Sequence, residues 1–149
     1  MIEILQGLPD NVVGLVVKGR VTPNDCSEVL LPAIEKSREW HHRLRLYYEI
    51  RSRYPGATWP EVTLDSERAA LWERIAVVTD VALVRHALQA VRLLIPGELR
   101  VFSTAQIPEG LAWITEIPSH QRRTASAPAA GVHRERQIHP PAQYLHQAF

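Results

Sequence analysis

The chain has 149 residues, a length typical of one globular domain, and its apolar fraction of 46% is enough for a hydrophobic core. Its formal net charge of +1 argues against a nucleic-acid-binding protein, which usually concentrates basic charge on one face. The single cysteine, Cys26, excludes an internal disulfide, fits a reducing compartment and is expected to be a buried apolar residue. The first residues are strand-like rather than signal-peptide-like, and no apolar run reaches the ~18 residues of a membrane span, so we expect a soluble, cytoplasmic protein.

The N-terminal residues predict an antiparallel hairpin followed by a helix. Residues 2–5 and 12–17 are strand-like, and the segment between them has a proline where a type I turn prefers it. Thr22 precedes Pro23, and an acid stands at the third helical position, which is a typical helix start. Apolar residues then recur on one helix face to about Trp40, and Pro32 should bend this helix.

The third strand is predicted over residues 43–50, where apolar and polar residues alternate. Its polar face is unusual for a strand that is covered on both sides, so we expect this strand to lie towards a sheet edge. The following stretch predicts a turn at residues 54–56 and a short helix near residues 65–72.

The segment 75–102 predicts a strand, a helix and a second strand that is parallel to the first. Residues 75–78 are a short apolar run typical of a central strand, and Asp80 is placed to cap the next helix. The helix pattern extends over residues 81–95 and stops at Pro96-Gly97, after which residues 99–102 form the next strand. Short connections of this kind indicate a right-handed crossover.

The surface of the 81–95 helix is more apolar than one buried face requires. Its polar residues are confined to a narrow stripe with a histidine at its margin: Arg85, His86, Gln89 and Arg92.

After the fifth strand, residues 108–117 predict a last helix with its apolar residues facing inward. Residues 118–149 lack apolar periodicity and carry four arginines against one glutamate, so we expect a domain over residues 1–117 and a disordered basic tail.

Several segments together resemble the bacterial SpoIIAA-like family, whose members are also described as STAS/SEC14-domain proteins. They are ERIAVVTD, VRHA, PGELRVF, the opening MIEILQGLPDNVV and LLPAIE. The resemblance implies an α/β two-layer sandwich: a five-stranded mixed sheet with an N-terminal antiparallel hairpin and about four helices. Anti-sigma-factor antagonists share this fold, and the lipid-binding CRAL-TRIO domains are related to it. The family usually has a longer helix between residues 56 and 74, and this chain is shorter there by about one helical turn of ~3.6 residues.

The candidate ligand- or partner-binding residues lie around the start of the 81–95 helix. Open α/β sheets bind ligands beyond the carboxyl ends of parallel strands, next to helix N-termini. This places Thr79 and Asp80 there, although a capping aspartate is the more common role and its charge would repel phosphates. Arg85, His86 and Gln89 follow on the helix, where the histidine could carry a proton or contact a ligand.

The sequence has no pattern that predicts catalysis, a metal or a cofactor. His41-His42 has no acidic or thiol partner at a metal-ligand spacing, and there is no phosphate-binding glycine loop or Gly-x-Ser-x-Gly turn. The phosphoacceptor of STAS regulators is a serine or threonine after an aspartate. Here Ser52 lacks that aspartate, so the resemblance does not support a phosphorylation switch.

Two functions remain open from the sequence. The first is a non-catalytic regulatory or protein-interaction module, similar to anti-sigma-factor antagonists, that binds a protein partner or forms a homodimer through the 81–95 helix. The second is a carrier of a lipid or small apolar molecule, similar to CRAL-TRIO proteins. The first is preferred because a small domain with a shortened second helix has little room to enclose a lipid.

Overall fold

The computed structural model describes residues 1–53 and 66–117, and its centre is a five-stranded sheet with the order β1-β2-β3-β4-β5. β1 and β2 are antiparallel, and each later strand is parallel to the one before it. The strands are β1 (Ile2–Ile4), β2 (Val12–Val17), β3 (Leu44–Ile50), β4 (Trp72–Val78) and β5 (Glu98–Phe102). The predicted mixed sheet with its N-terminal hairpin is therefore confirmed.

The first helix, α1, begins at a capping box and contains a wider turn. The Thr22 side chain accepts a hydrogen bond from the backbone N–H of Asp25, whose carboxylate accepts one from the backbone N–H of Thr22. The helix comprises Pro23–Asp25, a π-helical segment Cys26–Leu30 and Leu31–Arg38. The π-helical segment ends two residues before Pro32, which cannot donate to the preceding turn, so the distortion lies where the sequence predicts a bend.

The other helices are α2 (Ser66–Ala69), α3 (Ala82–Val91) and α4 (Ile107–Thr115), with 3₁₀ turns at Arg92–Leu94 and Thr104–Gln106. The described part thus has three helices of eight residues or more, slightly fewer than the predicted four, because α2 is only a single turn of four residues. β4, α3 and β5 form the predicted parallel crossover, with Ile75 opposite Leu99 and Val77 opposite Val101.

The two faces of the sheet have separate apolar clusters because successive side chains of a strand alternate between faces. On the first face, Leu15, Leu46 and Val77 pack with residues of α1 and α3, including Ile34 and Leu88. On the second face a smaller cluster contains these residues: Val12, Tyr47, Ala76, Val78 and Ile114. Ile114 belongs to α4, so this C-terminal helix covers the face opposite α1 and α3.

The prediction that β3 lies towards an edge is wrong. β3 pairs with β2 on one side and β4 on the other, and its polar face is almost completely buried. Arg45, Tyr47 and Glu49 tolerate this position because each has a partner on that face. The polar residues of the alternating pattern are therefore the ones that face α4. The edge strands of the sheet are β1 and β5.

Some sequence predictions lie outside the described residues. They are the turn at residues 54–56 and the basic tail 118–149. The division into a domain over residues 1–117 and a tail therefore remains a prediction. The helix predicted near residues 65–72 is described from residue 66 onward; it comprises only Ser66–Ala69, and Trp72 belongs to β4.

Candidate functional site

Asp80 joins the loop after β4 to the loop after β5. Its carboxylate accepts a hydrogen bond from the backbone N–H of Thr104 at 3.0 Å and another from the Thr104 hydroxyl. The hydroxyl and then the backbone N–H are the main causes that lower the pKa of Asp80 below its usual value, and Arg85 adds a smaller effect. The carboxylate is exposed to solvent, so this link is a surface contact.

The prediction that Asp80 caps α3 is wrong. The N-cap residue is Val81, and no side chain of the described residues caps this helix end. Thr79 is fully buried and its hydroxyl accepts a hydrogen bond from the Val81 N–H at 3.1 Å, which stabilises the turn into the helix. Thr79 and Asp80 therefore both stabilise the loops at this end of the sheet, each through its own contacts.

One side of α3, which we call the arginine side, carries Arg85, Gln89 and Arg92. These residues line an open cleft of about 410 Å³ together with residues of β5 and Gln106. Among the described residues, neither arginine side chain forms a salt bridge or a hydrogen bond. The structure thus brings Arg85 and Gln89 together in one cleft, whereas His86 is exposed outside it.

The opposite side of α3, which we call the apolar side, carries Leu83, Ala87 and Ala90 and continues into the 3₁₀ turn with Leu93 and Leu94. The two alanines are exposed, and the three leucines are 80%, 92% and 71% exposed in chain order. Leu88, Val84 and Val91 form the third side, which packs on the sheet. The apolar excess that the sequence predicts is therefore on the surface of the protein.

Two arginines on the second face of the sheet hold the C-terminal end of α4. Arg45 donates to the backbone oxygens of Ile114 at 3.0 Å and Glu116 at 2.6 Å, and Arg74 donates to that of Trp113 at 3.1 Å. Carbonyl groups at a helix C-terminus lack partners within the helix and carry partial negative charge, so cationic donors stabilise them.

The Trp113 side chain of α4 contacts two cations. The guanidinium of Arg74 lies 5.2 Å from the ring centroid and that of Arg100 lies 4.7 Å from it. Arg100 also forms a salt bridge with Glu98 at 2.7 Å. These contacts fix the orientation of α4 on β4 and β5 and hold Arg100 near the outer edge of the sheet.

A second open cleft of about 460 Å³ lies at the β1–β2 hairpin and is lined by the turn 5–10, the end of α1 and Trp40.

Within the described residues, no group of three or more histidine, cysteine or acidic side chains could hold a metal ion. In the same part of the chain, no helix is both long enough and apolar enough to cross a membrane.

Sequence reasoning missed three residues around the candidate site: Arg92, Arg100 and Thr104. Arg92 belongs to the polar stripe of the helix and could have been included by its spacing. Thr104 follows β5, and the carboxyl ends of adjacent parallel strands meet at one edge of a sheet, so a contact with Asp80 could also have been expected. The position of Arg100 depends on Trp113, which no local pattern reveals.

A family profile described as SpoIIAA-like matches residues 12–115. Neither the curated proteins nor the solved structures gave a significant match. The family match covers more than half of the chain. The mixed sheet with its N-terminal hairpin agrees with the fold that the resemblance implies, except that helices cover both faces of the sheet, where a two-layer sandwich has them on one. The chain belongs to the SpoIIAA-like family.

Proposed function

We propose that this protein is a non-catalytic regulatory interaction module, similar in role to anti-sigma-factor antagonists, that associates with a second copy of itself through the apolar side of α3. The observation that carries the proposal is the exposure of Leu83, Leu93 and Leu94 on one helix, where a surface helix normally presents polar residues. Burial of such leucines in an interface is favourable by about 1.5–3 kcal/mol for each side chain.

The order of residues along the apolar side suits an antiparallel pair of helices. Leu83 and Leu94 lie at equal distances along the chain from a point between Leu88 and Gln89, and so do Ala87 and Ala90. In a two-fold arrangement, Leu83 of one copy therefore meets Leu94 of the other, while the alanines meet at the centre. Small residues there let two helices approach to about 8 Å, the lower end of the usual range.

The charges of α3 are compatible with this arrangement. Arg85 and Arg92 lie on the arginine side, away from the proposed contact, so pairing the apolar sides does not place these cations against each other. His86 is exposed at the margin and would lie at the rim of the interface, where polar residues are usual.

Sedimentation velocity of the full chain over a range of concentrations tests the proposal. We expect a reversible dimer, and we expect Leu83→Glu to weaken it by about 100-fold, because about 1.5 kcal/mol is lost on each of two copies. The matched control is Ala112→Glu, which makes the same charge change at an exposed position of α4 and should leave the dimer intact.

Circular dichroism must show that the Leu83→Glu variant is still folded. We expect this because the Leu83 side chain is exposed and makes no contribution to the core. Leu88→Glu is a positive control for unfolding, because Leu88 is 1% exposed and belongs to the core. A chain that sediments as a monomer at every concentration, or a dimer that Leu83→Glu leaves unchanged, contradicts the proposal.

The alternative predicted from the sequence is a carrier of a lipid or small apolar molecule. Such a carrier needs an enclosed apolar cavity. The clefts at the hairpin and beside β5 are both open to solvent, and each contains charged or polar groups such as Lys36 and Arg85. We therefore propose no carrier function, and the cytoplasmic location stays a prediction.

A further inference from the structure

Within the part of the chain that the structure describes, the outer edge of β5 has backbone groups that no neighbouring strand satisfies. β5 is the last strand of the sheet, and the carbonyl of Phe102 accepts a hydrogen bond from the Thr79 N–H on the β4 side at 2.9 Å. The backbone groups of alternate residues point to opposite sides of a strand. The N–H and C=O groups of Leu99 and Val101 therefore point away from the sheet.

Positive charge flanks this edge on both faces of the sheet. Arg85 and Arg92 of α3 line the cleft beside β5 on the first face, and Arg100 reaches the same cleft from the second face. Arg100 has a carboxylate partner in Glu98, whereas Arg85 and Arg92 have no ion pair within the described residues. The edge is thus a template for an extended chain, and its surroundings favour acidic side chains.

We propose that β5 binds an extended acidic segment of a partner protein, which adds to the sheet as a sixth strand. The backbone of this segment bonds to Leu99 and Val101, which gives affinity for any extended chain. Its side chains alternate between the two faces, so acidic residues on one face meet Arg85 and Arg92, and one on the other face meets Arg100. This surface is separate from the apolar side of α3, so a dimer leaves it accessible.

Charge complementarity favours this occupant over two others from the same chain. A second copy that paired its own β5 here would bring two clusters of arginines together, and like charges in an interface are unfavourable. The C-terminal residues 118–149 carry four arginines and one glutamate, so their net charge of +3 is repelled as well.

The probe is a short, end-blocked, fluorescent peptide in which glutamate occupies every position on one face of the strand, and valine with one further glutamate occupies the other face. Its control is the same peptide with lysine in place of every glutamate. Fluorescence anisotropy with the full chain should show binding of the glutamate peptide that weakens as salt is raised. The lysine peptide should bind at least about 10-fold more weakly, because the arginines repel its charges. Hydrogen exchange of the Leu99 and Val101 amides should slow by about 10-fold at saturation, as expected for newly paired strand amides.

Two variants separate charge from strand pairing. The double variant Arg85→Glu, Arg92→Glu should weaken binding by more than about 10-fold. Its control is Arg38→Glu, Arg43→Glu, which makes the same charge change at exposed positions on and after α1 and should leave binding unchanged. Val101→Pro removes an outward N–H and should abolish binding although every arginine remains; proline is tolerated at an edge position of this kind.

Three results would overturn the proposal. Binding without protection of the Leu99 and Val101 amides indicates a simple anion site. Inorganic phosphate that displaces the fluorescent peptide as well as unlabelled glutamate peptide does indicates the same. Equal binding of the lysine peptide removes the role of the arginines. If Val101→Pro does not fold, the amide exchange of the unmodified chain and the arginine double variant still decide the question.

Discussion

Arg45 offers a sharp test of how the fold holds α4. Its side chain is 5% exposed and makes a salt bridge with Glu73 at 3.0 Å. It also donates to the backbone oxygens of Ile114 at 3.0 Å and Glu116 at 2.6 Å. Methionine matches the arginine side chain out to its Nε and can keep the packing of the aliphatic stem, so Arg45→Met removes the charge and all three contacts but leaves most of the side-chain volume filled.

The expected loss in the free energy of unfolding follows from the groups that Arg45→Met leaves without a partner. Two carbonyl oxygens at the end of α4 lose a charged donor, and hydrogen bonds to charged groups contribute about 1.5–3 kcal/mol each. The carboxylate of Glu73 is 32% exposed, so water can replace its lost partner. We expect the free energy of unfolding to fall by about 3–5 kcal/mol, the range for the loss of one partner from a buried pair.

The matched control is Arg74→Met on the neighbouring strand. Arg74 donates to the Trp113 carbonyl at 3.1 Å, but its carboxylate partner, Glu116, is 55% exposed. We expect a loss of about 1–2 kcal/mol from this carbonyl contact and the weakened cation–π contact. Equilibrium urea unfolding, followed by circular dichroism, measures both variants. If Arg45→Met costs no more than Arg74→Met, the buried contacts of Arg45 do not hold α4 as argued.

Two further predictions concern the turn before β5 and the loop contact of Asp80. Gly97→Ala should lower the free energy of unfolding by about 3 kcal/mol, because its Cβ would lie 2.2 Å from the Trp72 carbonyl oxygen, which belongs to the backbone of β4. Gly14→Ala should cost less than Gly97→Ala, because its nearest contact at 2.4 Å is the movable end of Leu8; thermal unfolding that ranks the two in reverse contradicts this. The pKa of Asp80 is lowered in the folded state, so its stabilising effect is present at neutral pH and is lost as pH falls below about 4. Urea unfolding should therefore show that Asp80→Asn is less stable than the unmodified chain at pH 7 and that the difference shrinks in acid; a constant difference would show that the charge of Asp80 is not involved.

The strands and the crossover could be predicted from the sequence because their signals are local. Residues 75–78 form a continuous apolar run, and the Pro96-Gly97 stop separates a helix pattern from the next strand. The hairpin could also be predicted from the sequence, since a proline-containing turn separates two short strand-like segments. In each case the period of the apolar residues matches the period of the element that they form.

The position of β3 could not be predicted because its polar face has two explanations. An exposed edge and a buried polar network both give the same alternation of polar residues. The structure shows the network, in which Arg45 reaches the end of α4 and the Tyr47 hydroxyl donates to Glu49 at 3.0 Å. The partners of Arg45 are 69 and 71 residues away in the chain, so no local pattern could reveal them.

The candidate site was predicted in part for a similar reason. Arg85 and Gln89 share a helix side, and their spacing alone places them together. Asp80 stands where an N-cap is common, and only the structure shows that its carboxylate turns to Thr104 instead. The apolar excess of α3 was visible in the sequence, but which of its residues are core and which are exposed depends on how the helix rests on the sheet.

The central claim is that the apolar side of α3 pairs with the same side of a second copy. An isotope-filtered NOE experiment tests it directly, on a mixture of chains with labelled leucine methyl groups and unlabelled chains. The account predicts NOEs between the Leu83 methyl groups of one copy and the Leu94 methyl groups of another. Their absence in a sample that is dimeric by sedimentation, or a sample that contains only monomer, would contradict it.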